Sequence, residues 1–271
     1  MEFKRVTLDN LASEHICCAL TDQKGESSVA SKKAWLSQRL GEGLVFDKLD
    51  VRGKVFIEYI PAEKAWCPIT ADHYLFINCF WVSGQYKGQG YANLLLERCL
   101  ADAKAKGKQG LVVLSAEKKM PFLSDPKYLK YKGFQIADQA PPYYELLYLP
   151  FSPQANVPQF KACVKSGRTD EEGWVVYYTN QCPHTDKYVP ILVDHLKSKK
   201  LAIKAIKIET TEQAQKAPNP FTTYALFYNG QFITNEILTA KSFDKLLIKT
   251  NLYPPTVPPS PSEYPAPLQR G

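Results

Sequence analysis

The stretch Phe80-Trp-Val-Ser-Gly-Gln-Tyr-Lys-Gly-Gln-Gly-Tyr-Ala-Asn-Leu-Leu95 constrains this chain most. A run rich in β-branched and aromatic residues, His73 to Val82, passes through a glycine-containing turn into apolar positions at helical spacing. Those positions are Ala92, Leu95, Leu96, Cys99, Leu100 and Ala103, and Gly107 supplies the stop. A helix N-terminus leaves its first N–H groups unpaired and carries partial positive charge. Gly88 and Gly90 let the backbone come close to a phosphate, so Lys87 to Ala92 is predicted to bind an anion. A dinucleotide fingerprint starting at Gly88 would need glycine at position 93, which is Asn93, and the Gly-Lys-Ser/Thr of a Walker A loop is missing from the segment.

The elements around this turn follow from pattern and punctuation. A short strand fits residues 4–8, and Asp9-Asn10 can cap a helix to about Leu20. A second helix fits Ser31 to Leu40, closed by Gly41 and Gly43. Leu44 to Val51, Lys54 to Ile60 and His73 to Val82 read as an antiparallel meander. The helix Tyr91 to Lys106, a buried strand Gly110 to Ala116, a short helix Lys127 to Lys132 and a final strand Tyr143 to Leu149 complete an α+β unit over residues 1–150.

Val82 through Lys87-Gly88-Gln89-Gly90-Tyr91-Ala92 resembles motif A of the GNAT superfamily of acetyltransferases, Val-x-Pro-x-x-(Arg/Gln)-x-x-Gly-x-(Gly/Ala) followed by a helix. Gly84 replaces the usual proline and Lys87 the usual Arg or Gln, and Gln85 to Gly90 satisfies the short consensus in a second register. The resemblance spans residues 1 to about 150 and implies the GNAT fold, a mixed, largely antiparallel sheet with flanking helices. It implies acetyl-CoA as co-substrate, with Phe80, Trp81 and Val82 along the pantetheine arm. The amides of Lys87, Gly88, Gln89, Gly90, Tyr91 and Ala92 would hold the pyrophosphate, and Lys87 would add charge.

Direct transfer to an amine needs a base, donors for the carbonyl and an acid for the leaving thiolate. Glu58, in Val55-Phe-Ile-Glu-Tyr-Ile60, is the candidate base, with an exposed strand residue as the competing reading. The tyrosine that relatives place four residues before a Gly-Phe pair is Leu129 here, flanked by Tyr128 and Tyr131. Tyr131 is the first choice for the acid and Tyr128 the second, each against simple rim packing. Tyr143, Tyr144 and Glu145 either line the acceptor cleft or pack in the final strand.

Pro153, Pro158 and the charged Arg168-Thr-Asp-Glu-Glu-Gly173 mark residues 151–172 as a linker. A second unit over 173–250 reads strand 174–179, helix 183–197, strand 203–208, helical segment 211–216, strand 223–228, turn at Asn229-Gly230, strand 231–237 and helix 240–249. Val175-Val-Tyr-Tyr-Thr-Asn-Gln-Cys182-Pro-His-Thr185 resembles the redox strand and helix of thioredoxin, with Thr185 in place of the resolving cysteine and Thr222 at the usual cis-proline spot. The helix N-terminus would favour a Cys182 thiolate, but one thiol cannot run a dithiol cycle. The two halves together, down to Glu58-Tyr-Ile-Pro-Ala-Glu-Lys64, resemble the YoaP-like acetyltransferases.

Composition narrows the class of function. With 45% hydrophobic and 23% charged residues the 271-residue chain should fold rather than stay disordered. No run reaches the 18 or so apolar residues of a spanning helix, and Met1 to Leu20 lacks an apolar signal core, so a cytoplasmic protein without membrane contact is expected. Seven cysteines without paired CxxC spacing read as reduced thiols, with no metal site. The net charge of +7 sits in short lysine clusters without a nucleic-acid-binding motif, which fits solvated faces and attraction to a polyanionic cofactor. The proline-dense residues 251–271 should be extended or disordered. The function expected is acetyl transfer from acetyl-CoA to an amine of a small molecule or peptide. The alternatives are an acyl-CoA-binding scaffold and a monothiol redox or sensor protein using Cys182.

Overall fold

The computed structural model describes residues 2–16 and 27–252. The first unit runs β1 (Phe3–Val6), α1 (Ser28–Gly41), β2 (Val45–Leu49), β3 (Val55–Pro61), β4 (Ile69–Thr70), β5 (Tyr74–Val82), α2 (Tyr91–Ala105), β6 (Gly110–Ala116), α3 (Pro126–Tyr131), β7 (Gln135–Ala140) and β8 (Tyr144–Pro150). Its sheet has the order β1-β2-β3-β5-β6-β8-β7. Every neighbouring pair is antiparallel except β5 and β6. The meander over β2, β3 and β5 forms as expected. The helix expected from Asn10 does not: Leu8 to Ser13 form turns, because the Asn10 side chain accepts from Thr7 N–H and donates to the Arg5 carbonyl. Residues 17–20 of that segment, and the tail beyond Leu252, lie outside the described residues.

One irregularity shapes the site. Between β3 and β5 the register shifts so that Glu58 pairs with Cys79 and Tyr59 with Ile77, leaving Asn78 as an extra residue on β5. Such a bulge bends the strand that carries it. On its other edge β5 pairs with β6 only from Tyr74 to Ile77, and the strands then part. The edge of β5 beyond Ile77 faces a gap at the end where α2 begins.

The chain continues through β9 (Gln159–Phe160), which pairs with β4. The residues expected as a linker pack closely here: Phe160 and Val164 are buried, and Asp138 accepts from Phe160 N–H and Lys165. The second unit comprises β10 (Trp174–Tyr178), α4 (Pro183–Ser198), β11 (Ile203–Lys207), α5 (Thr211–Gln215), β12 (Tyr224–Tyr228), β13 (Gln231–Thr234) and α6 (Ala240–Thr250). Its sheet has the order β11-β10-β12-β13, with β10 and β11 parallel and the other pairs antiparallel.

The two units share a core. Trp35, Trp66 and Phe160 belong to one buried cluster with Ile208, Ala214 and Ala217. Buried Arg39 of α1 donates to Thr211 Oγ1 at 2.9 Å and to the Lys64 carbonyl, with its guanidinium 5.0 Å from the Trp66 ring centre. Thr222 donates to the Trp66 carbonyl, Gln215 to the Ala65 carbonyl, and Tyr143 to Asn235.

Candidate active site

The site begins at the N-terminus of α2. Gly90 caps the helix at φ 84° and Gly88 precedes it at φ 75°, a region that side-chain-bearing residues rarely enter. A Cβ at either glycine would meet nothing within 4 Å, so conformation, not crowding, requires glycine there. Among the described residues no acceptor takes the N–H groups of Gly88, Gln89, Gly90 or Ala92, which is the donor array an anion needs. Lys87 stands beside them without a carboxylate partner among the described residues. Gln89 Nε2 donates to the Gln85 carbonyl and ties the turn together.

A cavity of about 550 Å³ starts at this turn and follows the free edge of β5. Phe80, Trp81, Val82, Lys87 and Ala92 line it on one side, with residues 119–125 and Tyr128 opposite. Tyr128 is set by local chemistry. Asp125 caps α3 by accepting from Lys127 and Tyr128 N–H, and Pro126 fits the first helical position. Leu129 turns into the core, and successive residues on a helix point about 100° apart, which puts Tyr128 on the flank facing the cleft. Its ring meets Phe80 edge-on with centres 5.8 Å apart, and its hydroxyl donates to Asn93 Oδ1 at 3.1 Å. Burial, aided by Glu97, pushes its pKa up to about 12.

Tyr131, the first choice for the acid from sequence, is 82% exposed and lines no part of the cleft. It lies two residues past Leu129, on the opposite side of α3. Tyr144 and Glu145 are buried in β8, and Lys130 pairs with Glu145 at 2.7 Å.

A second chamber of about 370 Å³ adjoins the first. Both share Phe80, Trp81 and residues 121–124 as walls. Glu58 lies at this chamber and is neither exposed nor free: its Oε2 accepts from Lys32 at 2.7 Å and its Oε1 from Asn78 at 3.1 Å. Both members of the ion pair are fully enclosed. The bulge at Asn78 delivers that amide to the carboxylate, a link no sequence pattern announced.

The far wall comes from the second unit, through Gln181, Cys182, His184, Phe221 and Thr223. Cys182 is the half-buried N-cap of α4. Thr185, at the place of a resolving cysteine, spends its hydroxyl on the carbonyls of Thr179 and Cys182. Among the described residues no cysteine is in a disulfide, and no group of three or more His, Cys, Asp or Glu could hold a metal. The sequence singled out Cys182 but gave no sign that it lines the same chamber as Glu58. That juxtaposition depends on how the units dock.

Comparison with known proteins agrees with this geometry. Residues 10–121 match the acetyltransferase (GNAT) family and residues 202–245 the YoaP-like family. An uncharacterized N-acetyltransferase of Bacillus subtilis, YoaP, is 43% identical over 247 residues, covering 91% of this chain and 98% of that protein. The chain belongs to the GNAT acetyltransferase family. Membership makes it an N-acetyltransferase with acetyl-CoA as acetyl donor. Among solved structures, a GNAT acetyltransferase from Brucella melitensis in complex with acetyl-CoA aligns at TM-score 0.37 and 15% identity, over 59% of this chain and 92% of that one. YhbS from Escherichia coli in complex with CoA aligns at TM-score 0.34 and 14% identity, over 48% and 76%. Among the described residues, no helix is long and apolar enough to cross a membrane.

Proposed function

We propose that this acetyltransferase passes the acetyl group directly to the amine of a small molecule or peptide held in the chamber beside Glu58. The observation that carries the reading is the set of amides at Gly88, Gln89, Gly90 and Ala92 without an acceptor among the described residues, continued by the edge of β5 beyond Ile77 into a cleft that ends at this chamber. The amides of Gly88, Gln89, Gly90 and Ala92 would hold the pyrophosphate, and Lys87, whose own N–H is donated to the Gly84 carbonyl, would add side-chain charge. Phe80, Trp81 and Val82 would border the pantetheine arm, whose thioester then lies between the two cavities.

In this reading Tyr128 is the acid. A phenol pushed up to about 12 keeps its proton at neutral pH and can give it to the departing thiolate. The Glu58 carboxylate, enclosed behind the chamber wall and held by Lys32 and Asn78, would help position the acceptor through its hydrogen bond to the Asn78 amide. The acetyltransferase unit then covers residues 1–150, residues 151–172 connect it, and 173–250 form a thioredoxin-like binding unit in which Cys182 has no resolving thiol. A cytoplasmic location accords with the reduced cysteines.

Thermal denaturation with and without acetyl-CoA tests the cofactor site, and thiol release over a panel of amines tests the transfer. A rise in Tm with acetyl-CoA and CoA is expected. No shift at millimolar acetyl-CoA would sink the reading.

A further inference from the structure

We propose that the second unit completes the acceptor site, that the acceptor is a small primary amine on an aromatic body, and that His184 takes its ammonium proton. This inference rests on acetyl transfer occurring in the cleft described above. It adds a substrate class and a catalytic residue from the other half of the chain.

The chamber is built by both units and fixed by both. Its roof, residues 121–124, is held from below by Ser115, whose buried hydroxyl donates to the Ser124 carbonyl at 2.8 Å. From the second unit, Asn235 Nδ2 donates to the Pro121 carbonyl at 3.1 Å. Phe122, between these anchors, adopts a φ of 64° that is costly for a bulky side chain and persists only where the surroundings enforce it. Thr222, between the wall residues Phe221 and Thr223, is fastened to the Trp66 carbonyl. A wall tied down on each side is a formed site, not a gap between loosely apposed units.

Size and lining set the ligand. A volume of about 370 Å³ lies at the low end for small-molecule sites, near 300 to 1,000 Å³. The body of a bound molecule would meet Phe80, Trp81, Phe122 and Phe221, and two of these rings are well exposed without a ligand, Trp81 at 44% and Phe122 at 43%. The polar part of the lining includes Glu58, Asn78 and His184, with Lys54 and Gln181 beside them. An aromatic body with one ammonium matches that division. A polypeptide would need an open groove for the chain beyond its reacting amine, and the second unit occupies that direction.

His184 is suited to accept the proton. It is half-buried at the start of α4, and the groups facing it or sharing its chamber are Lys54, Lys187, Glu58, Cys79, Cys182 and Tyr188. Burial first, then Lys54 and Lys187, lower its pKa below the usual 6.5, so its imidazole is neutral and has a free lone pair at neutral pH. In the reaction one imidazole nitrogen takes a proton from R–NH3+, and the freed pair attacks the thioester carbonyl carbon. The C–N bond forms as the C–S bond breaks, and the thiolate takes the Tyr128 proton. The proton left on the new amide nitrogen returns to Tyr128, and His184 loses its own to solvent. The balance is one acetyl-CoA and one ammonium in, with one amide, one CoA thiol and one proton out.

The test uses the full chain at saturating acetyl-CoA, with thiol release as readout and two probes, 2-phenylethylamine and an unblocked hexapeptide. Turnover of the amine, and little or none of the peptide, is expected. Thr223→Trp, which fills the chamber, should raise KM for 2-phenylethylamine while the thermal shift by acetyl-CoA stays as in the wild type. His184→Gln should lower kcat by roughly 100-fold, the lower end of general-base effects, and should abolish the acid limb of the pH–rate profile. Failure to turn over 2-phenylethylamine, equal turnover of the peptide, or an unchanged acid limb in His184→Gln would overturn the proposal. If acetyl-CoA itself gave no thermal shift, the failure would lie in the cofactor site instead.

Discussion

At the scale of single residues, the buried pair Lys32–Glu58 is the most consequential contact in the site. Removing one partner of a buried pair leaves an uncompensated charge and costs about 3–5 kcal/mol, whereas replacing both with apolar groups is often neutral. Glu58→Gln should therefore lower unfolding free energy by about 3 kcal/mol, softened by the Trp35 ring 4.1 Å from Lys32 Nζ. The double variant Lys32→Met, Glu58→Leu should recover most of that stability while losing turnover. Denaturant titration of the three proteins beside a thiol-release assay measures both effects. A second contrast separates the tyrosines. Tyr128→Phe should cut kcat by about 100-fold with acetyl-CoA binding retained, and Tyr131→Phe should behave as wild type. The sequence offered both tyrosines and favoured the more exposed one, because residue spacing alone does not show how the burial of Leu129 sets α3 against the cleft. Glu58 was visible as a candidate, but its partners lie 26 and 20 positions away and could not be read from the local pattern.

At the scale of elements, the start of α2 carries the cofactor claim. Gly90→Val puts a β-branched residue at φ 84°, where left-handed backbone costs about 1–2 kcal/mol per residue. The new methyls would project toward the approach of the anion, since nothing in the protein lies within 4 Å of that Cβ. The expected result is a folded chain whose Tm no longer rises with acetyl-CoA, checked by circular dichroism and thermal shift on the same sample. A wild-type shift in this variant would move the pyrophosphate elsewhere. The elements that were legible share a cause: α2 has a full apolar stripe and a glycine at each end, and Gly110–Ala116, apolar except for Ser115, is buried along its whole length. Those that escaped lack such a signal. β7, Gln-Ile-Ala-Asp-Gln-Ala, is a largely exposed edge strand that exists because β8 offers it a partner, and β4 and β9 are two residues each, joined from distant parts of the chain. The opposite error at Asn10 has the same origin: a good capping residue served a turn when the following segment was not held as a helix.

At the scale of the whole molecule, the shared core around Arg39, Trp35 and Trp66 joins both units, so they should unfold in one transition, seen as coincident fluorescence and circular-dichroism curves. The pH dependence of that transition follows from the histidines. His15 and His184 are both held below the usual 6.5, chiefly by burial, with Gly53 opposing the shift in one case and Lys54 and Lys187 adding to it in the other. Their depressed values mean that the unfolded chain binds protons at a higher pH than the folded one. Between 6.5 and the folded values the unfolded state therefore holds more protons, and stability falls as pH falls. Above 6.5 both states leave these rings neutral and their contribution is flat. Glu14 adds a second acid-labile step: hydrogen bonds from Lys4, then Lys48, hold it below 4.5, so its stabilisation is lost only as pH drops past that range. The Tm should be level near pH 7 to 8, decline from about pH 6.5 downward, and decline further below about 4.5. His15→Gln with His184→Gln should flatten the upper part of the decline and leave the lower part in place. If the double variant kept the wild-type slope between pH 6.5 and 5, groups other than these two rings would be taking up the protons, and the neutral imidazole required of His184 in the acceptor chamber would lose its support.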